Sequence, residues 1–169
     1  MPRMSQQESV MARRAGRSWA DKKRALYPSG KPNARAKTIH RRFVAGPLPR
    51  LLPIAAVLEV PGRLSGSTVA VPLATVPYRR GWYLVSMFGQ QSNWVRNLRA
   101  AGGHAVLTHG RRRPVRLVEV PTDLRPTILK RYLLLAIGAR PHFPVSWRAP
   151  LSQYQAIADT YPVFKINDP

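Results

Sequence analysis

The sequence predicts a mainly β chain with a few helices, an α+β fold built on a small antiparallel barrel. Three observations predict it. Short β-favouring runs recur between Gly- and Pro-containing turns from residue 54 onward, and few stretches carry helical periodicity. The first fifty residues, by contrast, are strongly basic and lack core-forming periodicity. With 169 residues and a 44% hydrophobic fraction, the chain fits one cored domain on the usual length prior. Residues 1–46 are therefore read as a basic, flexible arm and 47–169 as the barrel domain.

Within the arm, Met11, Ala15 and Trp19 recur at four-residue spacing, which allows a helix over Gln6–Leu26 that Pro28, Gly30 and Pro32 would end. Ile54–Val60 reads as the first strand and Pro61–Gly66 as a turn. Thr68–Val76 is the partner strand, with Val69, Val71, Leu73 and Thr75 on one face. Pro72 interrupts it and has no N–H to donate, so this strand is expected at an edge or beside a bulge. Trp82–Phe88 is a near-continuous apolar run bounded by Gly81 and Gly89, as for a strand buried on both faces. A short helix follows from Asn93 to Ala101, capped by Ser92 or Asn93, with Val95 and Leu98 inward and Gly102 or Gly103 at its end. His104–Thr108 and Pro114–Val120 form a hairpin with Arg111, Arg112 and Arg113 at its tip. Thr122 or Asp123 caps a helix that accepts Pro126 in its first turn and runs to Gly138. Ala149–Thr160 is a second, shorter helical candidate, and Pro162–Ile166 closes the set as a strand.

The net charge of +21 calls for a polyanionic partner such as nucleic acid, an anionic membrane or an acidic ligand. Residues 1–50 hold 13 Lys and Arg against Glu8 and Asp21, so about half the excess lies in the arm. Trp19 and Met11 on one side of that arm suggest contact with an anionic membrane surface. The chain has no cysteine, which excludes disulfides, thiolate metal sites and cysteine nucleophiles and suits a reducing cytoplasm. Leu51–Val60, broken by Pro53 and Glu59, is too short to span a bilayer, and the basic N-terminus has no apolar segment of a secretory signal. The seven carboxylates are scattered, with no pair on one helix face for acid and base work. His40, His104, His109 and His142 lack metal-ligand spacing, and Ser65, Ser86 and Ser92 lack the setting of a nucleophilic elbow. No catalytic role is therefore assigned to a side chain. Chemistry carried by a cofactor remains, because there the protein supplies orientation and electrostatics.

Trp82–Gly103 is where such a cofactor fits: a strand end, a glycine turn, an exposed helix start and the guanidinium groups of Arg96 and Arg99 together suit an anion on a flat ligand. The order VLEVPGRLSG (57–66), VAVPL (69–73), YLVSMFG (83–89), NWVRNLRAAGG (93–103) and AVL (105–107) resembles the deazaflavin-dependent nitroreductase family. The tail segments ARPHFPV (139–145) and YPVFKI (161–166) resemble one branch of it. The resemblance implies a small split β-barrel that binds the reduced deazaflavin coenzyme F(420) and passes its hydride to a quinone, nitroaromatic or similar small-molecule acceptor.

Carried over residue by residue, the resemblance gives Arg63 and Ser65 the phosphate or acidic tail and brings Pro72 and Leu73 to the ring. Val85, Ser86, Met87 and Phe88 would line the pocket, and Asn93, Trp94 and Asn97 would close it at the helix start, beside Arg96. Tyr132, His142 and Phe143 would offer surfaces to a planar acceptor. Each of these also has an ordinary structural reading: Trp94 as core anchor, Ser65 as turn residue, Arg63 as surface charge, Phe143 as core. Leu64 and Ser67–Val69 depart from the family pattern, which commonly has basic residues there; Arg79, Arg80, Arg96 and Arg99 are the candidates to compensate. Two alternatives stand beside this reading. One is a nucleic-acid-binding module using basic patches at 12–24, 35–42 and 111–116 with Trp19, Phe43 and Trp82. The other is a related split-barrel protein that binds flavin mononucleotide or haem.

Overall fold

The computed structural model describes residue 46 and residues 53–169. The expected arm with its helix over Gln6–Leu26, its membrane contact and the basic patches at 12–24 and 35–42 lie outside the described residues. Six antiparallel strands close into a barrel in the order β1-β2-β3-β6-β5-β4: β1 is Ala55–Pro61, β2 Thr68–Tyr78, β3 Gly81–Val85, β4 His104–His109, β5 Arg111–Glu119 and β6 Val163–Asn167. Among the described residues three α-helices accompany them, α1 (Asn93–Ala100), α2 (Arg125–Leu135) and α3 (Leu151–Gln155). None of the described helices is long and apolar enough to cross a membrane.

Strand alternation sorts the side chains into two cores. Ala56, Leu58 and Val60 of β1, Leu84, Leu107, Val115, Leu117, Phe164 and Ile166 fill the barrel, and α1 closes it with Trp94, Val95 and Leu98. On the other face of β2, β3 and β6, Val76, Val85 and Val163 meet Ile128, Leu129, Tyr132 and Leu133 of α2 and Tyr154 of α3. The 3.6-residue spacing of the α2 residues explains why this helix lies flat on the sheet.

Several expected elements are changed by their neighbours. The run from Trp82 is not a strand buried on both faces: β3 stops at Val85, and Trp82 is 38% exposed at its start. Gly89, at φ 73, folds the chain back so that its N–H reaches Ser86 O at 3.1 Å, which takes Ser86–Phe88 out of the sheet. Arg111, Arg112 and Arg113 are not at a hairpin tip either. Gly110 alone makes the turn, and the three arginines pair in β5 with His109, Thr108 and Leu107. The helix expected from Thr122 to Gly138 divides into a 3-10 turn at Thr122–Leu124, α2, and a second 3-10 segment at Ile137–His142; neither Thr122 nor Asp123 caps α2 through its side chain. Of the stretch Ala149–Thr160 only Leu151–Gln155 is α-helical.

Candidate functional site

The two halves of β2 have different partners. Thr68–Ala74 pair with β1, whereas β3 pairs with Thr75–Tyr78, so Thr68–Leu73 present an edge without a second strand. Thr75 N–H donates to Ile54 O at 2.8 Å. Ladder parity then makes Leu73, Val71 and Val69 the residues bonded to β1; Pro72 and Ala70 turn their backbone groups to the open edge, and Ala74 turns its own toward the end of β3. Pro72 thus stands where a missing N–H costs no ladder bond, which is how this sequence tolerates proline in a long strand.

The turn joining β1 to β2 is built by its glycines and serines. Gly62 N–H donates to Ser67 O (2.8 Å), Gly66 N–H to Gly62 O (2.7 Å), and Ser65 Oγ accepts from Ser67 N–H (3.3 Å). Ser65 is thus a brace of this exposed turn. Arg63 reaches back to the helix: its backbone N–H and its Nη1 both donate to Asn97 Oδ1, at 3.3 and 2.9 Å. Asn97 is 5% exposed, so its amide is a fixed anchor that orients the guanidinium. Leu64 beside it points to solvent, 90% exposed.

Between β3 and α1, Ser86 is buried and its Oγ lies 2.8 Å from both Gly89 O and Ser92 Oγ. Ser92 occupies the N-cap of α1 as expected, but neither it nor Asn93 caps the helix through its side chain. The first N–H groups of α1 therefore stay available to an acceptor. Asn93 is exposed there, while Trp94, 6% exposed, packs edge-on against Phe164 at 5.4 Å. Arg99 does not join an anion site: its Nε and Nη2 hold Glu119 at 3.0 and 2.8 Å, and Nη2 also holds Gln90. Arg96 is exposed and, among the described residues, has no ion-pair partner. Arg79 and Arg80 sit in the β2–β3 turn, the whole length of β2 from Arg63, roughly 30 Å at the usual rise per residue, so they cannot compensate for Leu64.

Val85 is core at 2% exposure, and half-buried Met87 packs on the α2 side. Phe88 starts a second group of rings. It meets His142 edge-on at 5.0 Å; Phe143 stacks on Tyr161 at 4.1 Å and 20°, and Tyr132 lies 5.9 Å from Phe143. Tyr161 O–H donates to His142 O at 3.2 Å, and burial pushes its phenol above the ordinary range. Tyr132 and Phe143 are buried, whereas Phe88 and His142 are half-buried and form the exposed side of the cluster. The expected residues thus fall into two groups, Arg63 with Asn97 at α1 and Phe88 with His142, Phe143 and Tyr132, joined by the Ser86–Ser92 segment.

Sequence reasoning missed Tyr161, which holds His142 and Phe143 in place, although it opens the YPVFKI motif. It also missed Arg125, 6% exposed, which donates to Val120 O (2.8 Å), Ala158 O (3.1 Å) and Glu119 Oε1 (3.1 Å). Among the described residues no cluster of three or more acidic or histidine side chains is placed to hold a metal ion.

No protein-family model matches the chain, and no curated protein matches it. Solved structures similar to it include an F(420)-H2-dependent reductase, at 22% identity and a TM-score of 0.43 over 67% of this chain and 93% of that one. A candidate 5-nitroimidazole antibiotic resistance protein of Bacteroides thetaiotaomicron is similar at 11% identity, TM-score 0.48, over 78% of each chain. An FAD-binding protein of Mesorhizobium loti is similar at 18% identity, TM-score 0.43, over 81% of this chain and 90% of that one.

Proposed function

We propose that the chain is a deazaflavin-dependent oxidoreductase that transfers a hydride from reduced coenzyme F(420) to a planar electron acceptor of the quinone or nitroaromatic type. The observation that carries this reading is the Arg63–Asn97 clamp, which brings an oriented guanidinium and the uncapped start of α1 to the end of the barrel where β2 has its open edge. The donor set fits an anionic, flat cofactor: one fixed cation, free helix N–H groups within about one helical turn of Asn97, and backbone groups of Ala70 without a partner strand.

When bound, the reduced coenzyme supplies the hydride, and the protein has no bond-breaking to perform with its side chains. Arg63 would hold the anionic tail, and Asn97 would keep Arg63 in position. Pro72 and Leu73 would wall the ring on the β2 side, and Met87 and Phe88 on the other, with the Ser86–Ser92 contact bracing the loop behind them. The half-buried surface of Phe88 and His142, backed by Phe143, Tyr132 and Tyr161, would take the acceptor and keep water from its reacting face.

Fluorescence titration with the coenzyme at low salt tests the reading. Saturable binding is expected, and Arg63→Ala should lose a charge-assisted contact of about 1.5–3 kcal/mol, weakening affinity roughly ten- to a hundredfold with the single-turnover hydride step nearly unchanged. Absence of saturable binding, or tighter binding of flavin mononucleotide in direct competition, would overturn it.

A further inference from the structure

The outer face of β4, β5, β6 and β3 carries a connected row of cations and rings. His104 pairs with Arg116, Arg116 with Asn167, Val118 with Lys165, and Lys165 with Tyr83. These residues alternate with the buried Val115, Leu117, Phe164, Ile166 and Leu84, so their side chains stand outside the barrel. His104, Arg116, Val118 and Lys165 are exposed, and Tyr83 is half-buried. Gly81 makes room for the arrangement: a Cβ there would lie 3.3 Å from the Tyr83 ring and 3.5 Å from Lys165 Cε, so the lysine stem runs beside the tyrosine. Tyr83 in turn meets Tyr78 edge-on at 6.3 Å, and the Arg79 guanidinium lies 5.4 Å from the Tyr78 centroid.

The carboxylates on the strands of this part of the barrel and just after them are already engaged. Glu59 holds Arg112, Glu119 holds Arg99 and Arg125, and Asp168 holds Arg113. Arg116 and Lys165 have no carboxylate partner among the described residues and stand as diagonal neighbours on this face, within reach of one stretch of a phosphate backbone. We propose that this face docks single-stranded nucleic acid, with Arg116, Lys165 and Arg79 on successive phosphates and the Tyr83 and Val118 surface beneath the bases. A second copy of the chain would bring like charge against like charge. A bilayer would find little apolar surface to insert here, since the exposed apolar side chains of this face are Val118 and Pro114.

The test uses the full chain and a fluorescent oligothymidylate, with binding followed by anisotropy over a salt series. Reversing both cations, Arg116→Glu with Lys165→Glu, should weaken binding at least about tenfold and lower the slope of log affinity against log salt by about 1.4, as for two lost phosphate contacts. The charge-matched control, Lys130→Glu with Arg148→Glu, should weaken it less than about threefold. Equal effects of the two pairs would overturn the proposal, as would a loss confined to binding of phosphatidylserine vesicles. A readout that needs no variant is photo-crosslinking of the wild-type chain to a 4-thiouridine oligonucleotide. Crosslinked peptides from β3, β5 and β6 are expected, and crosslinks confined to residues 1–52 would overturn the proposal.

Discussion

At the scale of single residues, conformation and contact decide which positions tolerate change. Gly103, at φ 85, ends α1 by donating its N–H to Leu98 O at 3.0 Å, and a Cβ there would lie 2.5 Å from Leu117 O. Both the left-handed backbone and a carbonyl that cannot move without breaking the sheet oppose a side chain. Gly103→Ala should therefore cost roughly 2–4 kcal/mol in a denaturant melt. Gly110, at φ 70 with no atom near its absent Cβ, should accept Asn with less than about 1 kcal/mol lost. Glu59 shows a residue whose effect depends on pH. Its hydrogen bonds from Arg112, at 3.0 and 2.9 Å, hold the carboxyl below its usual range. A depressed acid stabilises the fold above its unfolded pKa and loses that contribution as pH falls through the folded value. The melting difference between wild type and Glu59→Gln should thus be present near neutrality and vanish on acidification below the ordinary carboxylate range.

At the scale of elements, Glu119 at the end of β5 ties two helices to the barrel through ion pairs of unequal weight. Its bond to Arg125 of α2 is largely desolvated, with that arginine side chain 7% exposed, while Arg99 of α1 is 41% exposed. Exposed pairs contribute little, whereas removing one partner of a buried pair leaves an uncompensated charge. Glu119→Ala should cost about 3 kcal/mol, Arg99→Ala under about 1 kcal/mol; equal losses in urea melts would show that the α1 pair carries as much weight. This node also marks where reading the sequence stops. Strands were legible because alternation and turn residues are local, and Pro72 revealed an edge because its missing N–H is a property of one residue. The Ser92 position was legible as a cap, yet its hydroxyl turned to Ser86, a choice made by tertiary neighbours. The cationic stretch 111–113 looked like a loop because composition does not show that Gly110 alone can reverse the chain. Within the candidate site, Arg63 with Asn97 and Phe88 with His142 came from ordered motifs. Tyr161 joins them only through the closing of the barrel, which no local pattern shows.

At the scale of the whole molecule, the barrel depends on its last strand. β6 lies between β3 and β5 in the ring, so residues 163–167 must pair with strands that precede them by some fifty to eighty positions before the sheet closes. Three buried residues of β6 join the two cores: Val163 packs with the α2 cluster and Phe164 and Ile166 with the barrel interior, and Val163 O accepts the N–H of Val120. Without β6, β3 and β5 would each expose an edge, and the rings of Trp94 and Phe143 would lose Phe164 and the ordered approach of Tyr161. Because closure is non-local, helix propensity cannot substitute for it, and folding should wait for the C-terminus. A chain ending at Pro162 is therefore expected to lack a cooperative thermal transition, to lose near-ultraviolet circular dichroism and to bind hydrophobic dye. A chain ending at Asn167 keeps every β6 pairing and loses only the Asp168 contact to Arg113, so it should melt within a few degrees of the full chain. A cooperative transition in the shorter chain would mean that the five remaining strands close without β6, and the barrel order would then not be what holds the two groups of site residues together.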